Sequence, residues 1–263
     1  CQHTSKICWH RCAWLCRGWL PRTGKVFERP HHQRIAHVLN ALDADILRQH
    51  GCWFGGGTCI ALSCGEYRES VDMDFLVSNA AGFRELRQLL TGPDGLAGIT
   101  RTGAPALVVA REIRADQYGI RTQVLMDGHA IKLEIVREAR IELALPGTEH
   151  TLCGVSTLTP LDMAATKLLA NSDRQADDGV FSRDVIDLAM MNLPLPLLRA
   201  ALAKAELAYG QSVARDLVKA IDRCQQREGW LLRCMQAMHM ELPQAVLWQH
   251  IRKLRRAVPA QAS

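Results

Sequence analysis

The sequence predicts an α+β fold, with an α/β half followed by an all-helical half and the change of character near residue 158. Three observations carry this. Between residues 52 and 136, short alternating or β-branched runs are separated by turn signals, as strands require. After Pro160, apolar residues recur at helical spacing through six consecutive segments. Of the 263 residues, 48% are hydrophobic and 22% charged, which is enough apolar material for a sizeable core.

The elements follow in order. His31–His50 reads as one amphipathic helix, because Ile35, Val38, Leu39, Leu42 and Ile46 share a stripe and Gly51 follows as a stop. Cys52–Phe54 is a short apolar strand that enters Gly55-Gly56-Gly57, and Thr58–Ser63 is a helical turn or two ended by Gly65. Val71–Val77 alternates acidic and apolar residues, a strand pattern that points Val71, Met73 and Phe75 to the core. Ala80–Leu90 is a helix, and Thr91–Gly98 a Gly/Pro turn region. Ala106–Ile113, Ile120–Met126 and Ala130–Val136 are strands, the last two joined by the hairpin dipeptide Asp127-Gly128. Arg140–Leu145 is expected as one more strand. Helices are expected over Leu161–Asn171, Arg183–Met191, Pro196–Leu207, Ser212–Gln226, Trp230–Met238 and Pro243–Val258. The chain thus divides into residues 1–30, an α/β domain over 31–158 and a helical domain over 159–263.

Residues 1–30 are rich in Cys, Trp, His and Arg. Cys8, Cys12 and Cys16 are spaced i, i+4, i+8 beside His3 and His10, but the second pair that structural zinc needs is missing. A disordered leader, or a stretch translated from a misplaced start, is the expectation. The formal charge of +5 permits a polyanionic partner without requiring one. No apolar run is long enough to span a bilayer, and His10, Arg11 and Arg17 interrupt any signal-peptide core. Ten cysteines without framework spacing fit a reducing, cytoplasmic setting.

The chemistry concentrates between Phe54 and Val77. Gly56 and Gly57 open a helical run at Thr58, where backbone N–H groups bind anions and absent Cβ atoms let phosphates approach. No Gly-Lys-Ser/Thr follows, so this is not a Walker loop. Asp72 and Asp74 fall on one strand face, a costly pairing of carboxylates that cations such as Mg²⁺ would relieve. In Ala130–Val136, Lys132 and Glu134 share one face and Ile131, Leu133 and Ile135 the other. If that strand lies beside Val71–Val77, Glu134 can join the acid pair; otherwise it is an exposed Lys/Glu edge. Lys167 lies at the edge of an apolar helix stripe, where it can snorkel to solvent or reach a phosphate. Asp173, Arg174, Arg183, Asp184 and Asp187 form a charged patch that helix pairing alone would explain. His31, His32, His150 and His239 are read as surface or capping residues. Arg252, Lys253, Arg255 and Arg256 could guide an RNA phosphate backbone, but a solvated basic helix end is the favoured reading.

GGGT, RESVDMDFL, IKLEIV, TKLLANSDR and SRDVIDLAMM, in that order, resemble the AbiEii/AbiGii-type nucleotidyltransferase toxins of the DNA polymerase β-like nucleotidyltransferase superfamily. The likeness covers about residues 30–192. It implies a polymerase β-like core with a mixed sheet, followed by a C-terminal helical bundle. It implies Mg²⁺-dependent transfer of a nucleoside monophosphate from an NTP to an acceptor, RNA and in particular tRNA, with a cognate antitoxin as protein partner. By residue, it places Gly56, Gly57 and Thr58 at the phosphates and Asp72 and Asp74 on metal. It brings Lys167 to the triphosphate and Asp184, in the Arg-Asp-x-x-Asp motif that ends at Asp187, to the site, with less support for Asp187 itself. Glu134 stands at the third metal-ligand position, where the superfamily usually has Asp. Transfer to a protein or small molecule, and a degenerate nucleotide-binding module, remain as alternatives.

Overall fold

A computed structural model describes residues 27–259. The Cys8/Cys12/Cys16 arrangement and nearly all of the expected leader lie outside that range. Five strands form one mixed sheet in the order β1-β2-β5-β4-β3. They are β1 (Cys52–Gly55), β2 (Met73–Val77), β3 (Val108–Ala115), β4 (Gly119–Met126) and β5 (His129–Arg137). β1 runs antiparallel to β2, β2 parallel to β5, and β5, β4 and β3 form an antiparallel meander. The β4–β5 turn places Asp127 (φ 49°) and Gly128 (φ 75°) in left-handed conformations, as a two-residue hairpin turn requires.

The expected N-terminal helix is two helices, α1 (Pro30–Ala41) and α2 (Ala44–Gln49). The stripe persists across the break, but Leu42 forms a β-bridge to Thr100, and Asp43 caps α2 by accepting from the N–H groups of Asp45 and Ile46. α3 (Gly56–Ser63) follows β1 without a loop, and α4 (Ala80–Thr91) follows β2. Arg140–Leu145 is not a strand. Its Leu143 amide donates to Ser78 Oγ and its Ala144 amide to Asp162 Oδ2, so side chains take the bonds a sheet neighbour would have made. A small hairpin, β6 (Thr151–Leu152) and β7 (Val155–Ser156), was not expected from the sequence.

The remaining helices are α5 (Pro160–Arg174), α6 (Arg183–Met190), α7 (Leu195–Tyr209), α8 (Ser212–Gln226), α9 (Trp230–Ala237) and α10 (Gln244–Leu254). α5 packs against α6, α7 and α8, while α3 touches β1, β2, α5 and α6 at once. Apolar burial is continuous through the sheet and the helices. Met73, Phe75, Ile131, Leu133 and Ile135 are buried, as their alternation predicts. Val71 is not: β2 begins at Met73, and Val71 is 47% exposed. Among the described residues, no helix is long and apolar enough to cross a membrane.

Phe75 lies at the centre of this packing, 1% exposed, with its ring 5.3 Å from that of Phe54. Phe75→Ala is expected to cost about 3–5 kcal/mol, read as a lower denaturant midpoint at unchanged slope.

Candidate active site

The sheet register brings the sequence-separated site residues into one row. Gly55 pairs with Asp74, Asp74 with Glu134, and Glu134 with Arg121. Neighbours in register share a face, so Glu134 stands beside Asp74 and is not an isolated strand edge. This row forms part of a cleft of about 460 Å³, which Gly57, Thr58, Asp72, Asp74, Glu134 and Lys167 help to line.

Gly56 and Gly57 are needed for close approach. Gly56 is left-handed (φ 69°), and a Cβ there would stand 2.5 Å from Asp74 Oδ2. At Gly57 a Cβ would stand 2.2 Å from the Arg68 guanidinium and 3.0 Å from Asp187 Oδ2. The first N–H groups of α3 lack intrahelical acceptors and lie at this end of the cleft. The hydroxyl of Thr58 is otherwise engaged. It donates to the Asp72 carbonyl and accepts from Ser70 Oγ at 2.7 Å, so it fixes the backbone that carries Asp72.

Asp72 and Asp74 make no side-chain hydrogen bond or ion pair among the described residues. Burial, with the like charges of Asp72 and Glu134, holds the Asp74 carboxyl above the usual carboxylate range, against the pull of Lys167 and Lys132. Two oxygen-rich groups with uncompensated charge, beside a glycine that leaves room, fit a hard divalent cation. Glu134 differs. Lys132 Nζ donates to its Oε2 (2.5 Å) and Arg121 Nε to its Oε1 (2.6 Å). Burial opposes ionisation of Glu134, but these two donors outweigh it and hold its carboxyl below the usual range. No three His, Cys, Asp or Glu side chains among the described residues form a ready-made ion site.

Lys167 does not snorkel. It is 6% exposed, and its Nζ bridges Asp184 Oδ1 (3.0 Å) and Asp187 Oδ2 (2.9 Å). Burial disfavours its charge, yet the two carboxylates raise its pKa overall. Asp184 also receives a bidentate pair from Arg174, through Nε (2.6 Å) and Nη2 (2.8 Å). It stands behind Lys167 and is not among the cleft-lining residues.

The sequence reading missed the centre of this network. Asp187, fully buried, accepts from Arg68 Nε (2.7 Å) and Nη2 (3.0 Å) and from Tyr67 Oη. Despite burial, Arg68 and Lys167 hold its carboxyl far below the ordinary range. The available signal was its spacing three residues from Asp184, which puts both acids on one helix face. His32 also departs from the surface reading. It is 0% exposed, its Nδ1 contacts Glu66 Oε1 (2.8 Å), and its Nε2 accepts from the Ser70 amide (3.1 Å). The neutral Nδ1–H tautomer satisfies both contacts. His32 thereby holds the segment that leads into Asp72.

The family model described as nucleotidyl transferase AbiEii toxin, type IV toxin–antitoxin system, matches residues 38–260. No curated protein matches the chain. Two solved structures from Helicobacter pylori are similar. One, a candidate nucleotidyltransferase, is 16% identical over 87% of this chain and 94% of its own, with a TM-score of 0.46. The other, JHP933, is 14% identical over 90% and 96%, with a TM-score of 0.47.

Two outcomes are expected. Asp187→Asn leaves Arg68 and Lys167 buried without a full counter-charge. It should cost about 3–5 kcal/mol, seen as a lower unfolding midpoint at pH 7. Burial keeps the His32 pKa below 6.5, against the pull of Glu66, so the unfolded chain takes up that proton more readily. This stabilisation is complete above the unfolded value of about 6.5 and is lost as pH falls below it. A melting-temperature series from pH 8 to pH 5 should decline below 6.5, and His32→Gln should flatten that decline.

Proposed function

The chain belongs to the AbiEii family of nucleotidyltransferase toxins of type IV toxin–antitoxin systems, and on that premise we propose that it moves a nucleoside monophosphate from an NTP to RNA, with tRNA as the foremost acceptor. One observation carries the placement of the chemistry: the unpaired Asp72 and Asp74 carboxylates share a cleft with the N-terminus of α3. In this reading an acceptor hydroxyl attacks the α-phosphorus and loses its proton to solvent water. A new O–P bond forms as the bond from the α-phosphorus to the bridging oxygen breaks, and pyrophosphate leaves.

Each residue has a task. Asp72 and Asp74 would hold Mg²⁺, which when bound neutralises charge developing on the transferred phosphoryl group and the leaving pyrophosphate. The N–H groups of Gly57 and Thr58 would receive the phosphates, and Gly56 leaves room for the Asp74 carboxylate. Lys167 supplies positive charge from the cleft floor, held there by Asp184 and Asp187. Arg68, which also lines the cleft, packs against Gly57. Glu134 would add a third oxygen ligand if it exchanged Lys132 and Arg121 for the ion. The cognate antitoxin is the protein partner, and the cytoplasm, where NTPs and tRNA are found, is the setting.

A second reading, nucleotide binding without turnover, has one observation in its favour: both Glu134 oxygens are engaged by cations.

Incubation with labelled NTPs, Mg²⁺ and total RNA should label a small RNA. Label on protein or a small molecule would redirect the acceptor, and nucleotide binding without transfer would favour the second reading. Asp72→Asn should abolish transfer, by at least about a hundredfold, at an unchanged melting temperature. Activity at the wild-type level would remove the metal assignment.

A further inference from the structure

The cleft has two chemically different linings. Carboxylates and cations come from the segment before β2 and from β2, β5, α5 and the start of α6, whereas Val180, Phe181, Ala237 and Met238 contribute apolar lining, with Arg183 at its edge. Phe181 is held there against its own backbone preference. It is left-handed (φ 51°, ψ 38°), and so is the next residue, Ser182 (φ 49°, ψ 27°). Two consecutive bulky or polar residues in that region persist only where the surroundings fix them.

The surroundings do fix them. Trp230, 2% exposed, donates from Nε1 to Ser182 Oγ at 2.9 Å. Its ring stacks on that of Phe181, with centroids 6.3 Å apart and planes 18° from parallel. The guanidinium of Arg227 lies 4.4 Å from the Trp230 ring centroid and pairs with Asp178 at 2.8 Å. Asp177 accepts from the Gly179 amide, closing the turn that precedes Phe181. The loop is thus anchored at several points, and it sets an aromatic residue into a cleft whose other lining is ionic.

We propose that Phe181, in the apolar part of the lining to which Met238 also contributes, is the nucleobase subsite of this cleft. A nucleotide has the same division as the lining: polyanionic phosphates at one end and a flat ring with apolar faces at the other. Stacking on an aromatic side chain accepts every base, because each has a π-face. The apolar lining holds that face while the acid and glycine end takes the phosphates. The subsite rests on the nucleotidyl-transfer reading only in expecting a nucleotide in this cleft. The base belongs to the NTP or to the terminal nucleotide of the acceptor, and the measurements separate the two.

The test compares the full chain with Phe181→Leu, which keeps apolar bulk without the ring, and Phe181→Tyr, which keeps the ring. Binding of ATP, GTP, CTP, UTP and inorganic tripolyphosphate is measured with Mg²⁺, alongside melting temperatures. Phe181→Leu should weaken nucleoside triphosphates roughly tenfold, leave tripolyphosphate unchanged and be rescued by Phe181→Tyr. Unchanged NTP binding with a similar rise in acceptor KM at constant kcat assigns the subsite to the acceptor's base. The proposal is overturned if Phe181→Leu alters neither quantity or weakens tripolyphosphate equally. It is also overturned if Phe181→Tyr behaves like Phe181→Leu, or if the wild type prefers no NTP over tripolyphosphate. A wild type with NTP binding but no transfer would overturn the transferase reading and leave the subsite standing.

Discussion

The arrangement depends on a buried charge network centred on Asp187. This carboxylate holds Arg68, which approaches β2, and Lys167, which reaches the cleft from α5, while Asp184 completes the pairing of Lys167 and adds Arg174. Taking these charges from water costs several kcal/mol per ion, and only near-complete mutual pairing offsets that. Because the partners come from the segment before β2 and from two helices of the other half, the network fixes α5 and α6 relative to the acid pair. It also explains Gly57, whose missing side chain leaves the space that Arg68 and Asp187 occupy.

A second constraint works from the opposite side. Asp72 lies just before β2, so no sheet bond fixes it. Its position is set by Thr58, which donates to its carbonyl, and by Ser70, whose amide is held by His32 and whose hydroxyl contacts Thr58. Two acids of like charge thereby line one cleft with no ion-pair partner among the described residues, while Lys167 and Lys132 attract Asp74 from a distance. Such an arrangement suits a cationic ligand. Glu134 shows the alternative in the same row: a carboxylate already neutralised by Lys132 and Arg121. Entry of Glu134 into a metal site therefore requires exchange of partners rather than simple occupancy of a vacant place.

Much of this was legible in the residues. The alternation in β2 and β5 gave the buried faces. Asp127-Gly128 gave the hairpin, and helical spacing gave the order of α5 to α10 with ends displaced by a residue or a few. The errors have local physical causes. The first helix divides because a β-bridge at Leu42 and the Asp43 cap outweigh an unbroken apolar stripe. The strand expected at Arg140–Leu145 fails because side chains satisfy its amides.

The sequence by itself determined what depends on near neighbours: strand faces, turn chemistry, helix stripes, and the glycine-then-acid order that carries the family likeness. Only the tertiary structure decided what depends on distant partners. It placed Glu134 beside Asp74 through parallel pairing of β2 with β5. It made Asp187, 119 residues from Arg68, the centre of the charge network. It also turned His32 and Lys167 from expected surface or edge residues into buried ones. Periodicity reports which side of an element a residue occupies. Whether a charged residue there meets water or a counter-charge is set by what packs against that side, and those groups lie elsewhere in the chain.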